Sequence, residues 1–337
     1  MVADTGLLIF KMYVKDKLLL LSTTASAIPN NLAVNIMKRK KTADCLAVIH
    51  QSFINIVPVK DYEMETRNIP CTDSQLRNRA VITQVMWCML SNQHILITTS
   101  TIGLQIFDCE GLNCKFSHPC YDGPENKECF ARGLTTTGDF LCVGNSAGCI
   151  RVFVMLEDGE IAFVDRKMRH REAITDLASN GNQVVSADES GCVYLWTLTG
   201  EELIQWGELP IYEWSCTSVK IWQDLIVTAY GSGHIRLFST NRETNSVALL
   251  VEVGAHARWI TSLDIAPDQG LILTVSEDTF AKVWLIKKGE PTIIVHDFSA
   301  HIKDSVLVGG KFLNSDGSEF CVSSYDSKLI HCFTKSP

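Results

Sequence analysis

Gly254 to Trp284 reads GAHARWITSLDIAPDQGLILTVSEDTFAKVW. Residues 260–265 form an apolar-rich strand, and Pro267-Asp268-Gln269-Gly270 is a turn. Residues 271–275 make a second strand. A tight turn carrying Asp278 follows, and a third strand ends in Trp284. Short apolar strands joined by turns rich in Gly, Ser and Asp are the chemistry of antiparallel sheet.

Worn copies of this unit run along the chain. The first has strands at 27–37, 45–50 and 53–59, with 61–79 as a degenerate outer strand plus a loop. The others are carried by ITQVMWCML, HILITTS and GLQIF; by FARGLTTT, DFLCVGNS and GCIRVF; by AITDLAS, QVVSADES and GCVYLW; by CTSVKIW, DLIVTAYGS and GHIRLF; and, after the opening stretch, by VLVGGKFL, EFCVSSYD and KLIHCF. The third strands end at Val57, Phe107, Phe153, Trp196, Phe238, Trp284 and Phe333, which are 42 to 50 residues apart. A period near 40–45 residues with four strands per repeat resembles the WD-repeat β-propeller family. Long helical periodicity is absent. The expected fold is therefore all-β, a seven-bladed β-propeller of WD-repeat type. Blades that cannot bury their faces singly make it one domain. The expected limits are 1–16 for an N-terminal extension and 17–337 for the propeller. Blades one to seven then span 26–79, 80–128, 129–171, 172–213, 214–256, 257–301 and 302–337.

The resemblance implies a buried polar chain of His, strand hydroxyl, turn Asp and strand Trp. His256, Ser276 (or Thr274), Asp278 and Trp284 fit those places. The physical demand is clear: a Trp N–H buried between blades needs an acceptor, and the other three groups pass that demand out to a turn. Segments ITQVMWC, CVGNSAGCIRVF, SEDTFAKVW and GGKFLNSDGSEF narrow the resemblance, from about Ile82 onward, to one animal branch of the family. It implies a cytoplasmic interaction scaffold and brings no catalytic residues.

After Phe333 only four residues remain, too few for an outer strand of blade seven. KLLLLSTT, residues 17–24, is a strand without a partner of its own. The N-terminal strand is expected to close the ring onto blade seven, which removes an exposed sheet edge.

A net charge of −8 argues against general nucleic-acid binding. No apolar run reaches the roughly 18 residues of a membrane span. Thirteen cysteines, several inside strands, and no Asn-x-Ser/Thr sequon favour a reducing, intracellular setting. Lys38-Arg39-Lys40-Lys41 could add nuclear entry, or could be a solvated hairpin tip.

Motifs that could carry chemistry have plain structural readings. Gly144-Asn145-Ser146-Ala147-Gly148 matches the G-x-S-x-G nucleophile pattern, but it lies between two strands, where a β-turn is expected. Cys109, Cys114, His118 and Cys120 are metal-ligand types without a C-x-x-C pair, so free thiols are expected. Asp188, Asp278 and Asp326 recur at turns and are expected to brace them. No cofactor or metal is expected.

The segments entering each first strand carry the functional expectation, because in the family they surround the central channel on one face. They hold Arg77 and Arg79; Phe130 and Arg132; Arg169, His170 and Arg171; Tyr212, Glu213 and Trp214; Arg258 and Trp259; His301 and Lys303. Arg and large aromatics are enriched at interface hot spots. The protein-binding candidates are Arg79, Arg132, Arg169, His170, Arg171, Trp214, Arg258 and Trp259. The expected function is a non-catalytic scaffold binding other proteins or peptides, acidic segments among them. The rival readings are a structural subunit of a larger assembly, a chromatin or nucleic-acid reader, and an enzyme. Self-association, giving a homo-oligomer, would use the same route as the structural subunit.

Overall fold

The computed structural model describes residues 12–36, 43–60, 66–71, 80–120 and 129–336. Among them there are 28 strands and no helix. Blade one is β2 (Leu32–Ile36), β3 (Ala43–His50), β4 (Phe53–Pro58) and β5 (Arg67–Pro70), and blade two is β6 (Ile82–Leu90), β7 (Gln93–Ser100), β8 (Gly103–Asp108) and β9 (Cys114–His118). Blade three is β10 (Ala131–Thr137), β11 (Phe140–Asn145), β12 (Cys149–Met155) and β13 (Ile161–Met168). Blade four is β14 (Ile174–Asn180), β15 (Gln183–Asp188), β16 (Val193–Thr199) and β17 (Glu202–Glu208). Blade five is β18 (Cys216–Trp222), β19 (Leu225–Tyr230), β20 (His234–Asn241) and β21 (Ser246–Gly254). Blade six is β22 (Ile260–Ala266), β23 (Leu271–Ser276), β24 (Phe280–Lys287) and β25 (Ile293–His301). Blade seven joins β26 (Leu307–Phe312), β27 (Glu319–Ser324) and β28 (Leu329–Lys335) to β1 (Tyr13–Leu20), in the order β1-β28-β27-β26.

The N-terminal strand thus closes the ring, as the unpartnered edge required. It begins at Tyr13 rather than Lys17 and ends at Leu20 rather than Thr24. Residues 13–16 are therefore part of the propeller and not of an extension. The reason is burial at Tyr13: its ring lies 5.0 Å from that of Phe320, and its hydroxyl donates to the Gly317 carbonyl. Blade one's first strand also begins later than expected, at Leu32. Pro29 and Asn30 precede it, and Asn30 has a positive φ of 55°, so the chain turns there before it can extend.

The core lies between blades. β19 and β23 are buried at every residue, because blades pack on both of their faces. One cluster joins Val227, Ile235 and Leu237 of blade five to Ile260, Ile272 and Trp284 of blade six. Another joins Leu19 and Cys321 of blade seven to Leu46 and Val57 of blade one. Stability therefore depends on closure, since each cluster needs two neighbouring blades.

Hydrogen bonds tie the first strands together around the channel. Thr83 donates to Ala131 O, Thr175 to Cys216 O, and Thr261 to Leu307 O at 2.7 Å. Arg132 occupies the same strand position and sends Nε to Ile174 O at 2.9 Å. Deeper in the channel, Asp176 of blade four accepts from Ser218 Oγ, Val219 N and Lys220 Nζ of blade five at 2.6, 3.1 and 2.9 Å. Asp264 of blade six accepts from Lys311 Nζ and Phe312 N of blade seven at 2.8 and 2.9 Å. One carboxylate thus serves both a charge and a backbone N–H of the next blade.

Candidate functional site

Among the described residues, two blades contain the complete polar chain. In blade six, Trp284 Nε1 donates to Thr274 Oγ1 at 3.0 Å, Thr274 meets His256 Nε2 at 2.8 Å, and His256 Nδ1 meets Asp278 at 2.9 Å. The strand hydroxyl is therefore Thr274 and not Ser276. Ser276 points toward the turn, where it donates to Arg258 O and accepts from Asp278 N. Neutral His256, with its proton on Nδ1, satisfies every link. Burial lowers its proton affinity, against the pull of Asp278. Burial alone would raise the Asp278 carboxyl, but the bond from His256 and the N–H groups of Ala257 and Phe280 hold it at about 2.

Blade four carries the second chain: Trp196 Nε1 to Ser186 Oγ at 2.8 Å, Ser186 to His170 Nε2 at 2.6 Å, and His170 Nδ1 to Asp188 at 2.7 Å. His170 is thus an interior brace, and its assignment to the binding rim is corrected. Asp188 stands eight residues before Trp196, where blade six has Ser276, eight before Trp284. The turn carboxylate can come from either of two positions, which is why blade four looked worn in sequence. In blade three the chain is apolar instead, with Phe153 for the Trp and Val143 for the hydroxyl.

The face bearing these turns is built by one recurring bond. In blades two to seven the turn after the second strand donates N–H to the carbonyl just before the first strand: Thr101 to Val81, Ser146 to Phe130, Glu189 to Ala173, Gly231 to Ser215, Glu277 to Trp259 and Tyr325 to Val306. The channel opens on this face as a cavity of about 350 Å³, lined by residues including Asn30, Arg132, Glu189, Ser215 and Trp259. It leads toward a section of about 510 Å³ that contains Asp176, Lys220, Asp264 and Lys311. The Trp259 ring rests on Gly231 of the neighbouring blade. A Cβ built there would lie 2.6 Å from the ring, so the glycine lets the indole sit flat on the backbone. Asn30 Oδ1 and Ser215 Oγ are buried without hydrogen-bond partners among the described residues.

Of the expected rim residues, the structure brings Arg132 and Trp259 together at the mouth. Arg132 is paired with Glu189 at 2.6 Å. Arg258 is exposed beside Trp259, Arg171 is exposed, and Trp214 is 53% exposed on the same face. Arg169 lies elsewhere: it stacks 4.8 Å over Tyr194 and bonds Gln205 and Glu208 on blade four's outer strand. Arg79 and the run Lys38–Lys41 lie outside the described residues. Sequence reasoning missed Asn30, Glu189 and Ser215. The recurring Ile-Thr or Cys-Thr at strand starts was the available signal for the ring, with Ala131-Arg132 standing out from it.

The other motifs resolve structurally. Ser146 lies in a turn between β11 and β12. Cys109, Cys114, His118 and Cys120 do not converge as ligands: no metal-ligand group of three occurs among the described residues. His118 instead packs edge-on to Phe153 at 5.1 Å. Asp188 and Asp278 brace their turns by accepting from Cys192 N and Phe280 N, while Asp326 contributes its own N–H to Ala25 O.

The sequence profile of the WDR54 family matches residues 12–336. The chain belongs to the WDR54 family. It is 28% identical over 330 residues to WD repeat-containing protein 54 of Mus musculus, covering 94% of this chain and 97% of that protein. It is 25% identical over 153 residues to the Target of rapamycin complex subunit wat1 of Schizosaccharomyces pombe, covering 44% of this chain and 47% of that one. A chain in a crystal structure of the mitotic checkpoint complex has the same fold, with a TM-score of 0.74, 14% identity and 96% of both chains covered. No helix among the described residues is long and apolar enough to cross a membrane.

Proposed function

We propose that the chain is a non-catalytic interaction scaffold that holds a short segment of another protein at the channel mouth. The observation that carries this reading is Trp259. The residue is 36% exposed at the wall of the mouth cavity and its ring rests on Gly231, beside two buried polar atoms with free capacity, Asn30 Oδ1 and Ser215 Oγ. A rigid aromatic surface costs little ordering on binding, and the two polar atoms fit a peptide amide. Arg132 and Glu189, titratable side chains of the cavity wall, neutralise each other, which supports binding rather than catalysis.

The guest is a protein segment with an apolar or aromatic anchor. Acidic residues flanking the anchor would meet Arg258. The face also carries exposed Glu172, Glu189, Glu213 and Glu277, so the anchor contributes more selectivity than charge does. The name of the relative wat1, a subunit of a complex, is in keeping with this use. The cell compartment we propose is the cytoplasm, with nuclear entry through Lys38–Lys41. Affinity purification with the wild-type chain and with an Arg258→Ala/Trp259→Ala variant tests the reading. A set of partners lost with an unchanged thermal melt is expected, and full retention of all partners would contradict it.

A second reading rests on β1. Its outer side exposes Val14, Leu18 and Leu20 at the edge of blade seven, which suits a subunit contact or self-association. Sedimentation showing monomer alone, with partner binding indifferent to Leu18→Glu, would remove this reading.

A further inference from the structure

Blade three lacks the His of blades four and six, and its entering segment holds two thiols instead. Cys120 Sγ donates to Cys129 O at 2.8 Å, and Cys129 Sγ reaches Cys120 O at 3.7 Å. These contacts bring the two thiols face to face. The turn after β11 closes over the pair. Ser146 Oγ donates to Cys129 Sγ at 3.4 Å, and Asn145 Nδ2 donates to Cys120 O at 2.9 Å. The motif Gly144-Asn145-Ser146-Ala147-Gly148 thus forms the turn that covers the two thiols, with Ser146 bonded to the Cys129 sulfur.

Both side chains pack in the core cluster between blades two and three, a place that an apolar residue would fill as well. Phe153 and Val143 have no buried donor to satisfy, so the position needs no polar relay. Other buried cysteines, such as Cys142, Cys216 and Cys321, lie within strands, where burial pushes their thiols up and leaves them inert. Cys129 goes the other way. Its place beside Cys120 pulls it down against burial, helped by Ser146 Oγ and by the N–H groups of Ala147 and Ser146.

We propose that Cys129 and Cys120 form a redox-active dithiol, with Cys129 as the attacking thiolate and Cys120 as the resolving thiol. The oxidant class is a hydroperoxide. The Cys129 sulfur attacks the distal peroxide oxygen: an S–O bond forms, the O–O bond breaks, and the leaving oxygen takes a proton, giving water from hydrogen peroxide. Cys120 then attacks the Cys129 sulfur: the S–S bond forms, the S–O bond breaks, and hydroxide leaves as water with the Cys120 proton. Two thiols and one hydrogen peroxide thereby give one disulfide and two waters. Phe130 and Arg132 follow directly, and Arg132 lines the channel mouth, so the pair stands next to the proposed binding surface. The redox assignment does not depend on that surface.

The test uses the full chain. It is treated with an equimolar amount of hydrogen peroxide, free thiols are blocked with iodoacetamide, and the chain is digested with trypsin. Cleavage after Lys115, Lys127 and Arg132 places the two cysteines on separate peptides, FSHPCYDGPENK and ECFAR. The expected product is the two peptides linked, lighter than their sum by two hydrogen atoms, formed ahead of oxidation at any other of the 13 cysteines. In Cys120→Ser, Cys129 should instead stop at the sulfenic acid and be captured by dimedone. In the untreated chain, Cys129 should be alkylated faster than exposed Cys114 at pH 7. Recovery of both peptides alkylated while Cys114 is oxidised overturns the proposal. So does a Cys120→Ser chain without dimedone adduct at Cys129.

Discussion

Replacing Thr274 by Val in blade six removes one hydroxyl from a chain in which every member depends on it. Trp284 Nε1 loses its acceptor at 3.0 Å, and His256 Nε2 loses its partner at 2.8 Å. Both are buried, and an unsatisfied buried polar group costs about 1–3 kcal/mol, so the pair costs about 2–6 kcal/mol, with ~3 as a working value. At about 2.1 cal/mol/K of unfolding entropy per residue, a 337-residue chain then loses about 4 °C in its thermal midpoint. The structure also says how to recover part of the loss. Blade three has Val143 and Phe153 at the corresponding register positions. Adding Trp284→Phe to Thr274→Val removes the orphaned indole N–H. The double variant should therefore be about 1–2 kcal/mol more stable than the sum of the single effects predicts. Calorimetry or chemical denaturation of the four proteins measures the cycle. Additive single effects, or a Thr274→Val cost near zero, would refute the relay.

Two further outcomes follow from the closure and from the buried histidines. Removing residues 1–25 deletes β1 and frees the edge of β28, so the protein should aggregate; a soluble monomer with an unchanged melt would show that the ring closes without it. Burial lowers the proton affinity of His94, His256 and His331 from the ordinary value of 6.5. A group whose folded pKa lies below its unfolded one contributes stability above the unfolded value, and that contribution is lost as pH falls. Urea midpoints should therefore drop between pH 7.5 and 5, and a flat or rising profile would contradict the assignment.

Much of this architecture was legible because its causes are local and repeated. Turn residues and strand ends recur every 42 to 50 residues, and the missing outer strand of blade seven pointed to the N-terminus. The strand's true start at Tyr13 was not legible, because it is set by contacts with Phe320 and Gly317, some three hundred residues away. Thr274 and Ser276 were both chemically suitable, and only strand pleat separates them: Thr274 faces the Trp, and Ser276 sits at the turn. His170 looked like a surface cation because Arg169 and Arg171 flank it, yet its ring is buried against Asp188 and Ser186. The mouth was half legible. Trp259 and Arg132 stand in the entering segments, whereas Asn30, Glu189 and Ser215 join them only through the recurring turn bond and the path of the N-terminal segment.

Trp259 at the channel mouth is the residue proposed to hold the partner. Titration calorimetry of a captured partner segment against the wild-type chain, Trp259→Ala and Trp214→Ala tests it most directly. Hot-spot truncation costs at least about 2 kcal/mol, so Trp259→Ala should weaken binding by more than tenfold with the melt unchanged, while Trp214→Ala, outside the cavity, should change it little. Equal affinity for the wild-type chain and Trp259→Ala would place the working surface elsewhere on the propeller.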